Sequence, residues 1–318
     1  MKFEYSLVSP AYLKSVLLGK YSFLSDIEVV YIYQGLSDTY EVSTSDKKYI
    51  LRIYRSNWKP YNDIVGELEF ISLLKAKNIA VSYPISDNTK NLINHIDCPE
   101  GIRYFVLFSY AKGKPMTSLN SETAKLFGEH LARIHNVSEN LHIDKLSKNF
   151  KLPEILYFTR KSLESRNLEN SSVFEMLEEI EQKITQKLNA KVLEELSVGV
   201  CHGDPHFENC FLKEKTNVLT FFDFDFCGKG YLLYDLGSFF HYEKDSDLNK
   251  KNFLDGYSNV RALKEDEIAI IPYFEILMRL FHLGARAINA DGIKNPLWKV
   301  FQIEKTIQLI HDQTMALD

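Results

Sequence analysis

No run of about 18 or more consecutive apolar residues occurs in this 318-residue chain, so the sequence offers no membrane span. The N-terminus lacks a basic start followed by an apolar stretch, so no secretory signal is expected. Cysteine is scarce. The four, at 98, 201, 210 and 227, form no CxxC pair, which argues against a zinc site. A reducing, cytoplasmic setting is the expectation. Three of the four flank one short stretch and read as small buried packing residues. Positive charge is also short, with 38 Lys and Arg against 43 Asp and Glu. The net charge of -5 argues against a nucleic-acid binder and is compatible with cationic substrates. Repeats, low-complexity tracts and disordered linkers are missing. What remains is an ordinary globular composition, 45% hydrophobic and 25% charged, long enough for one large domain or two lobes.

The chain is organised around residues 201–227, CHGDPHFENCFLKEKTNVLTFFDFDFC. His202-Gly203-Asp204 is followed five positions after the aspartate by Asn209, and Asp223-Phe224-Asp225 ends the apolar run Val218–Phe222. Gly203 and Pro205 punctuate the first cluster as a tight loop. A carboxylate and an amide five apart can curl round one point there. An aspartate from a second strand can then share a cation with the amide oxygen, since Mg²⁺ takes hard oxygen ligands, usually only one or two from protein. His202 and His206 also invite a transition-metal reading, but Pro205 spoils a helical i, i+4 pair.

HGDxxxxN followed by a strand ending in Asp resembles the phosphotransfer core of the aminoglycoside phosphotransferase and choline kinase family, relatives of the protein kinases. The resemblance implies an α+β, protein-kinase-like fold of two lobes. The first is small and mostly antiparallel β; the second is larger and helical. It implies Asp204 as the residue that orients a substrate hydroxyl and accepts its proton, and Asn209 and Asp223 as Mg²⁺ ligands. Asp225 is a second metal ligand, a substrate-facing group or a surface carboxylate at the strand end.

Earlier in the chain, Ala11–Gly19 reads as a packing helix. Ile27–Tyr33 and Thr39–Thr44 read as strands round the turn Gln34–Asp38. A hairpin tip with a glycine can lay N–H groups against phosphates. The family places its nucleotide-covering loop here, which points to Gly35, Leu36 and Ser37. Lys48–Tyr54 is a third strand, with Tyr49, Leu51 and Ile53 on one face and Ile50, Arg52 and Tyr54 on the other. Arg52 stands where kinase-like folds carry a phosphate-holding lysine, and the two are not interchangeable. Asp63–Lys77 has helical spacing. The family pairs a helix glutamate with the basic strand residue; Glu67 matches it, with Glu69 as the solvated alternative. Val81–Ile85 is extended, and Asn91–Ile96 and Ile102–Phe108 are further strands, giving five strands and one inserted helix. Residues 1–108 thus form a nucleotide-binding lobe. Ser109–Pro115 reads as a hinge, where Ser109 and Ala111 are placed to meet the base through backbone atoms.

Residues 116–318 read as a helical lobe with the catalytic loop and the substrate site. Ser121–Asn136 is a helix bearing a structural His135. Ser172–Leu196 is helical. Asp235, two before Gly237 at a helix start, is placed to cap backbone donors and brace the catalytic loop. Ala269–Arg286 is an apolar pattern interrupted by Pro272, and Leu297–Leu309 is a closing amphipathic helix. The function that follows is transfer of the γ-phosphoryl group of ATP or GTP to a hydroxyl of a small molecule. The acceptor is an aminoglycoside-type antibiotic or a metabolic alcohol of the homoserine or choline kind. A protein Ser/Thr kinase and a catalytically silent nucleotide-binding protein are the competing identities. HGD in place of HRD, and little room between Asp223 and Asp235, weigh against the first.

Overall fold

A computed structural model describes residues 3, 5–55, 59–166, 172–243, 246–289 and 300–317. Its contacts group the chain into two units. The first comprises Met1–Pro115, Ile143–Leu146 and Cys210–Asp225; the second comprises Met116–His142, Ser147–Asn209 and Phe226–Asp318.

The first unit is built on helix α1 (Pro10–Lys20), strands β1 (Glu28–Gln34), β2 (Ser37–Ser43) and β3 (Lys48–Tyr54), helix α2 (Tyr61–Ala76), and strands β4 (Pro84–Ile85), β5 (Asn94–Cys98) and β6 (Gly101–Ser109). The sheet order is β1-β2-β3-β6-β4, with β5 also on β6, and every pairing is antiparallel. One strand more than expected is present, because the extended piece before residue 86 pairs with β6 at Pro84↔Phe108. The fifth strand starts three residues late. The Asp87 carboxylate gathers the N–H groups of Thr89 and Asn91, both at 2.9 Å, and holds that stretch as a loop. Leu13 and Leu17 of α1, with Tyr21 just past its end, close one face of the sheet over Tyr40, Val42, Leu51, Ile53, Phe105 and Leu107, which accounts for the packing helix. A buried ion pair crosses the unit beside this core: Arg103 Nη2 donates to Asp38 Oδ2 at 2.7 Å, and the Tyr5 hydroxyl donates to Asp38 Oδ1 at 2.6 Å. Strands Cys210–Lys213 and Val218–Phe221 make an antiparallel hairpin that adds Lys114–Pro115 at its edge. Phe221 donates to Ala80 O and accepts from Ser82 N, tying the hairpin to the stretch after α2.

The second unit is helical: α3 (Ser121–Ser138), α4 (Leu152–Glu164), α5 (Ser172–Lys187), α6 (Ala190–Glu194), α7 (Leu233–Tyr242), α8 (Asp247–Val260), α9 (Glu265–Asn289) and α10 (Val300–Met315). The single helix expected over 172–196 is two, because the Asn189 side chain caps Val192 N at 3.3 Å and starts a new one. Helix α9 runs through Pro272 rather than stopping there. It is long and apolar enough to cross a membrane, yet 72% of that stretch is buried within the protein, as in a core helix. The first residues of the expected closing helix, 297–299, lie outside the described residues. Strand Val198–Cys201 pairs antiparallel with Gly228–Tyr231, which pairs in parallel with Asn149–Phe150.

Helices α3 and α8 meet through two glycines. A Cβ on Gly128 would stand 2.1 Å from Phe253 O, and one on Gly256 would stand 1.9 Å from Lys125 O. Neither backbone can yield without separating the helices. Gly256→Ala is therefore expected to cost about 1–3 kcal/mol by overpacking, read as a lower midpoint in urea with an unchanged slope.

Candidate active site

The loop after strand Val198–Cys201 is held by one aspartate. Asp235, fully buried in the first turn of α7, accepts from His202 N–H at 2.7 Å and from Gly203 N–H at 2.9 Å. His135 of α3 lies with Nε2 3.0 Å from the same carboxylate and Nδ1 2.7 Å from the Tyr257 hydroxyl. With Asp235 accepting, Nε2 carries the proton and Nδ1 accepts from Tyr257. Both readings of these residues hold: Asp235 braces the loop and His135 supports it from a buried position. Gly203 has φ +90°, and a Cβ there would meet Phe226 O at 2.3 Å, so the turn that presents Asp204 requires glycine.

Asp204 accepts from the Tyr242 hydroxyl at 3.1 Å, and its own N–H points at His202 Nδ1 at 3.4 Å. His206 Nε2 is 3.6 Å from Asp204 Oδ2, and its ring stacks on Tyr242 with centroids 4.2 Å apart. Burial works against the Asp204 charge. The neighbouring His206, His282 and His202 more than offset it and hold the carboxyl down at about 2. The group is ionised throughout the physiological range, as a proton acceptor must be. Asn209 ends a short 3₁₀ turn and donates Nδ2 to Asp204 O at 3.0 Å. That bond spends the amide nitrogen and leaves the amide oxygen as a hard donor suited to Mg²⁺. His282 of α9 belongs to the surroundings of Asp204. It is pushed down to about 4, chiefly by burial, and its Nε2 is buried with no hydrogen-bond partner among the described residues. It lies within the apolar pattern of a long helix, where nothing local marks it.

In the first unit Arg52, Lys59, Glu67, Asp223 and Asp225 converge. Arg52 is only 9% exposed, so it is no surface strand charge. Its Nη2 donates to Asp225 Oδ2 and lies 3.1 Å from Asp223 Oδ1. Burial opposes the guanidinium charge, but Asp225 and Asp223 outweigh it and hold Arg52 in its protonated form. Asp225 is buried as well, which removes the surface-carboxylate reading, and it also receives the Ser37 hydroxyl at 3.4 Å. Asp223 has φ +64°, an uncommon conformation that aspartate tolerates better than most residues. Its carboxylate keeps 29% exposure and supplies the hard oxygen a divalent cation needs. Glu67 on α2 is fully buried and reaches Arg52 Nη1 only at 3.8 Å; the cation hydrogen-bonded to it is Lys59. Tyr54 adds its hydroxyl to Glu67 at 3.1 Å. Glu69 instead pairs with Lys145 at the surface.

At the β1–β2 turn, Gly35 N–H donates to Ser37 O at 3.1 Å, with Leu36 half-buried between them. At the end of β6, Ser109 donates its N–H to Tyr83 O at 2.9 Å and accepts from the Ser82 hydroxyl on its carbonyl. Ser109 is thus occupied by its own unit, while Ala111 lies buried just beyond. Lys59 and His282 were missed from the sequence. Lys59 had the weak signal of a basic residue shortly before a helix that carries a buried glutamate.

Residues 29–265 match the model of a family described as "Phosphotransferase enzyme family". An uncharacterized protein of Synechocystis sp., sll1119, is 30% identical over 271 residues, covering 81% of this chain and 73% of its own. Among solved structures, the amicoumacin kinase hAmiN in complex with AMP-PNP, Ca²⁺ and Ami superposes with a TM-score of 0.77 at 19% identity, over 98% of this chain and 95% of that one. A microcompartment-associated aminopropanol kinase superposes with a TM-score of 0.77 at 20% identity, over 96% of both chains. These superpositions carry the kinase-like fold.

Proposed function

Because this chain belongs to the phosphotransferase enzyme family, we propose that it transfers the γ-phosphoryl group of ATP or GTP to a hydroxyl of a small molecule. The observation that carries the reading is the loop His202–Asn209. Asp235 pins the successive backbone N–H groups of His202 and Gly203, Gly203 takes a positive φ open to glycine, and the turn presents an ionised, hydrogen-bonded Asp204. In this reading Asp204 orients the acceptor hydroxyl and takes its proton as the oxygen attacks. Tyr242 and His206 fix the carboxylate in one rotamer, so the proton goes to a predetermined oxygen. Arg52 steadies the nucleotide phosphates, and residues 35–37 cover them. Asn209 and Asp223 are the proposed Mg²⁺ ligands. The ion would neutralise phosphate charge, the main demand of this chemistry. Nothing covalent is asked of the protein; positioning and charge account for the rate.

The fold neighbours include an amicoumacin kinase and an aminopropanol kinase. The acceptor proposed here is accordingly a compound with a free hydroxyl, from the antibiotic or the amino-alcohol class. The test is incubation with Mg²⁺, ATP or GTP, and a panel of aminoglycosides, spectinomycin, homoserine, choline, aminopropanol and sugars. Nucleoside diphosphate release and product mass are followed. Stoichiometric diphosphate and one phosphorylated acceptor are expected. A protein that binds neither nucleotide overturns the reading.

A further inference from the structure

The cation that holds Glu67 is Lys59, seven residues beyond Arg52 and outside β3. Its ammonium has three donors. They go to Glu67 Oε2, to the Asp225 carbonyl at 3.2 Å and to Asp225 Oδ1 at 3.3 Å. The side chain is therefore fully committed, and it links α2 to the stretch that carries Asp223 and Asp225. Among the described residues, Arg52 is hydrogen-bonded through one nitrogen only. Nη2 serves Asp225 and Asp223, while Nη1 stands 3.8 Å from Glu67 Oε1, beyond hydrogen-bond reach. Glu67 Oε1 has no hydrogen-bond partner among the described residues.

We infer that Lys59 is a positioning residue of the nucleotide-binding cluster: by holding Glu67 and Asp225 together it keeps the free edge of Arg52 available to the nucleotide phosphates. The inference rests on the phosphotransfer reading above. Glu67 is fully buried and must have a cation. Without Lys59 the nearest is Arg52, already within 3.8 Å. Arg52 would then bridge Glu67 and Asp225, spending both of its terminal nitrogens inside the protein. A phosphate arriving there would meet two carboxylates and a guanidinium with no free edge. Overall charge alone does not produce this outcome, because it depends on which carboxylate the arginine is left to hold.

The experiment is calorimetric titration with ATP, once in EDTA and once with Mg²⁺, on the wild type, Lys59→Met and the double variant Lys59→Met/Glu67→Gln, with a thermal melt of each. The double variant has the wild-type net charge and no unpaired buried carboxylate. Lys59→Met is expected to weaken ATP binding about tenfold or more, the weight of one well-made charged hydrogen bond, and to lower Tm. In the double variant Tm recovers and ATP affinity returns toward the wild-type value, because Glu67→Gln leaves no charge to draw Arg52 Nη1 away from the phosphates while Asp225 keeps Arg52 Nη2 as in the wild type. Wild-type affinity in Lys59→Met, or a double variant whose Tm recovers while its ATP affinity stays at the Lys59→Met level, would overturn the assignment and leave phosphotransfer standing. A wild type that binds no ATP or GTP would overturn both.

Discussion

Replacing Asp204 by alanine is expected to cut phosphoryl transfer by about 10²–10⁴-fold, the usual span for loss of a positioned general base, with little change in nucleotide affinity. The Asp204 carboxylate is ionised, held in place by Tyr242 and flanked by histidines, whereas Glu208 on the same loop is largely exposed. His206 is taken up by stacking on Tyr242, and its Nε2 faces Asp204 at 3.6 Å. Asp204→Asn keeps the shape and removes the proton acceptor, so it should fall nearly as far as alanine.

The pH profile gives an independent check on the same residue. A base held at about 2 stays ionised from mild acid upward, so Asp204 contributes no acid limb to kcat/KM between pH 5 and 8. A limb near the ordinary histidine value of about 6.5 would assign the proton to His206 instead. Stability follows with a definite sign. The folded carboxyl lies at about 2 against an ordinary 3.8, so ionisation stabilises the folded state above about pH 4. That contribution is lost as the pH falls through 2. The difference in urea stability between wild type and Asp204→Ala should therefore narrow steadily from pH 4 downward.

What could be read in advance was local. The Asp204–Asn209 spacing, the glycine between His202 and Asp204, and Asp235 two residues before Gly237 are patterns of backbone geometry within a few residues. In the structure Asn209 donates to the Asp204 carbonyl, and Asp235 accepts from the His202 and Gly203 N–H groups. Strands β1 to β3 announced themselves by alternation and β-branched residues. What escaped depends on partners far away in sequence. Glu67 identifies its helix face, but whether Arg52 or Lys59 holds it is settled by where the segment before α2 enters the site, and no periodicity governs that segment. Asp225 stays open among three readings in the sequence, because the two cations beside it stand 173 and 166 residues earlier. The Asp38–Arg103 pair was invisible for the same reason: charges on alternating strand positions normally mean a solvated face. The break between α5 and α6 was local and still missed. One asparagine that accepts a backbone hydrogen bond outcompetes an otherwise continuous helical pattern.

Asp235→Ala is expected to produce the largest loss of stability of any single change at the site, about 3–5 kcal/mol, the cost of leaving buried polar partners uncompensated. The substitution strands the N–H groups of His202 and Gly203 and the Nε2 of His135 in a region with no exposure at Asp235 or His135. Transfer activity should also fall by about 10²-fold or more in the folded fraction, because a displacement of about 1 Å at a reacting group costs that much and Gly203 no longer has a reason to keep its positive φ. Asp235→Asn separates the two effects. Its remaining oxygen can satisfy one loop N–H, but its amide NH₂ meets the other donor head-on, so stability is partly regained and activity is not. His135→Phe in the same background measures how far the histidine acts through the aspartate. A coupling of about 0.5–3 kcal/mol in the cycle places His135, Asp235 and the loop in one network, whereas additive losses would separate them. Urea melts and kcat on the four proteins, measured at low temperature to keep the variants folded, decide between the two.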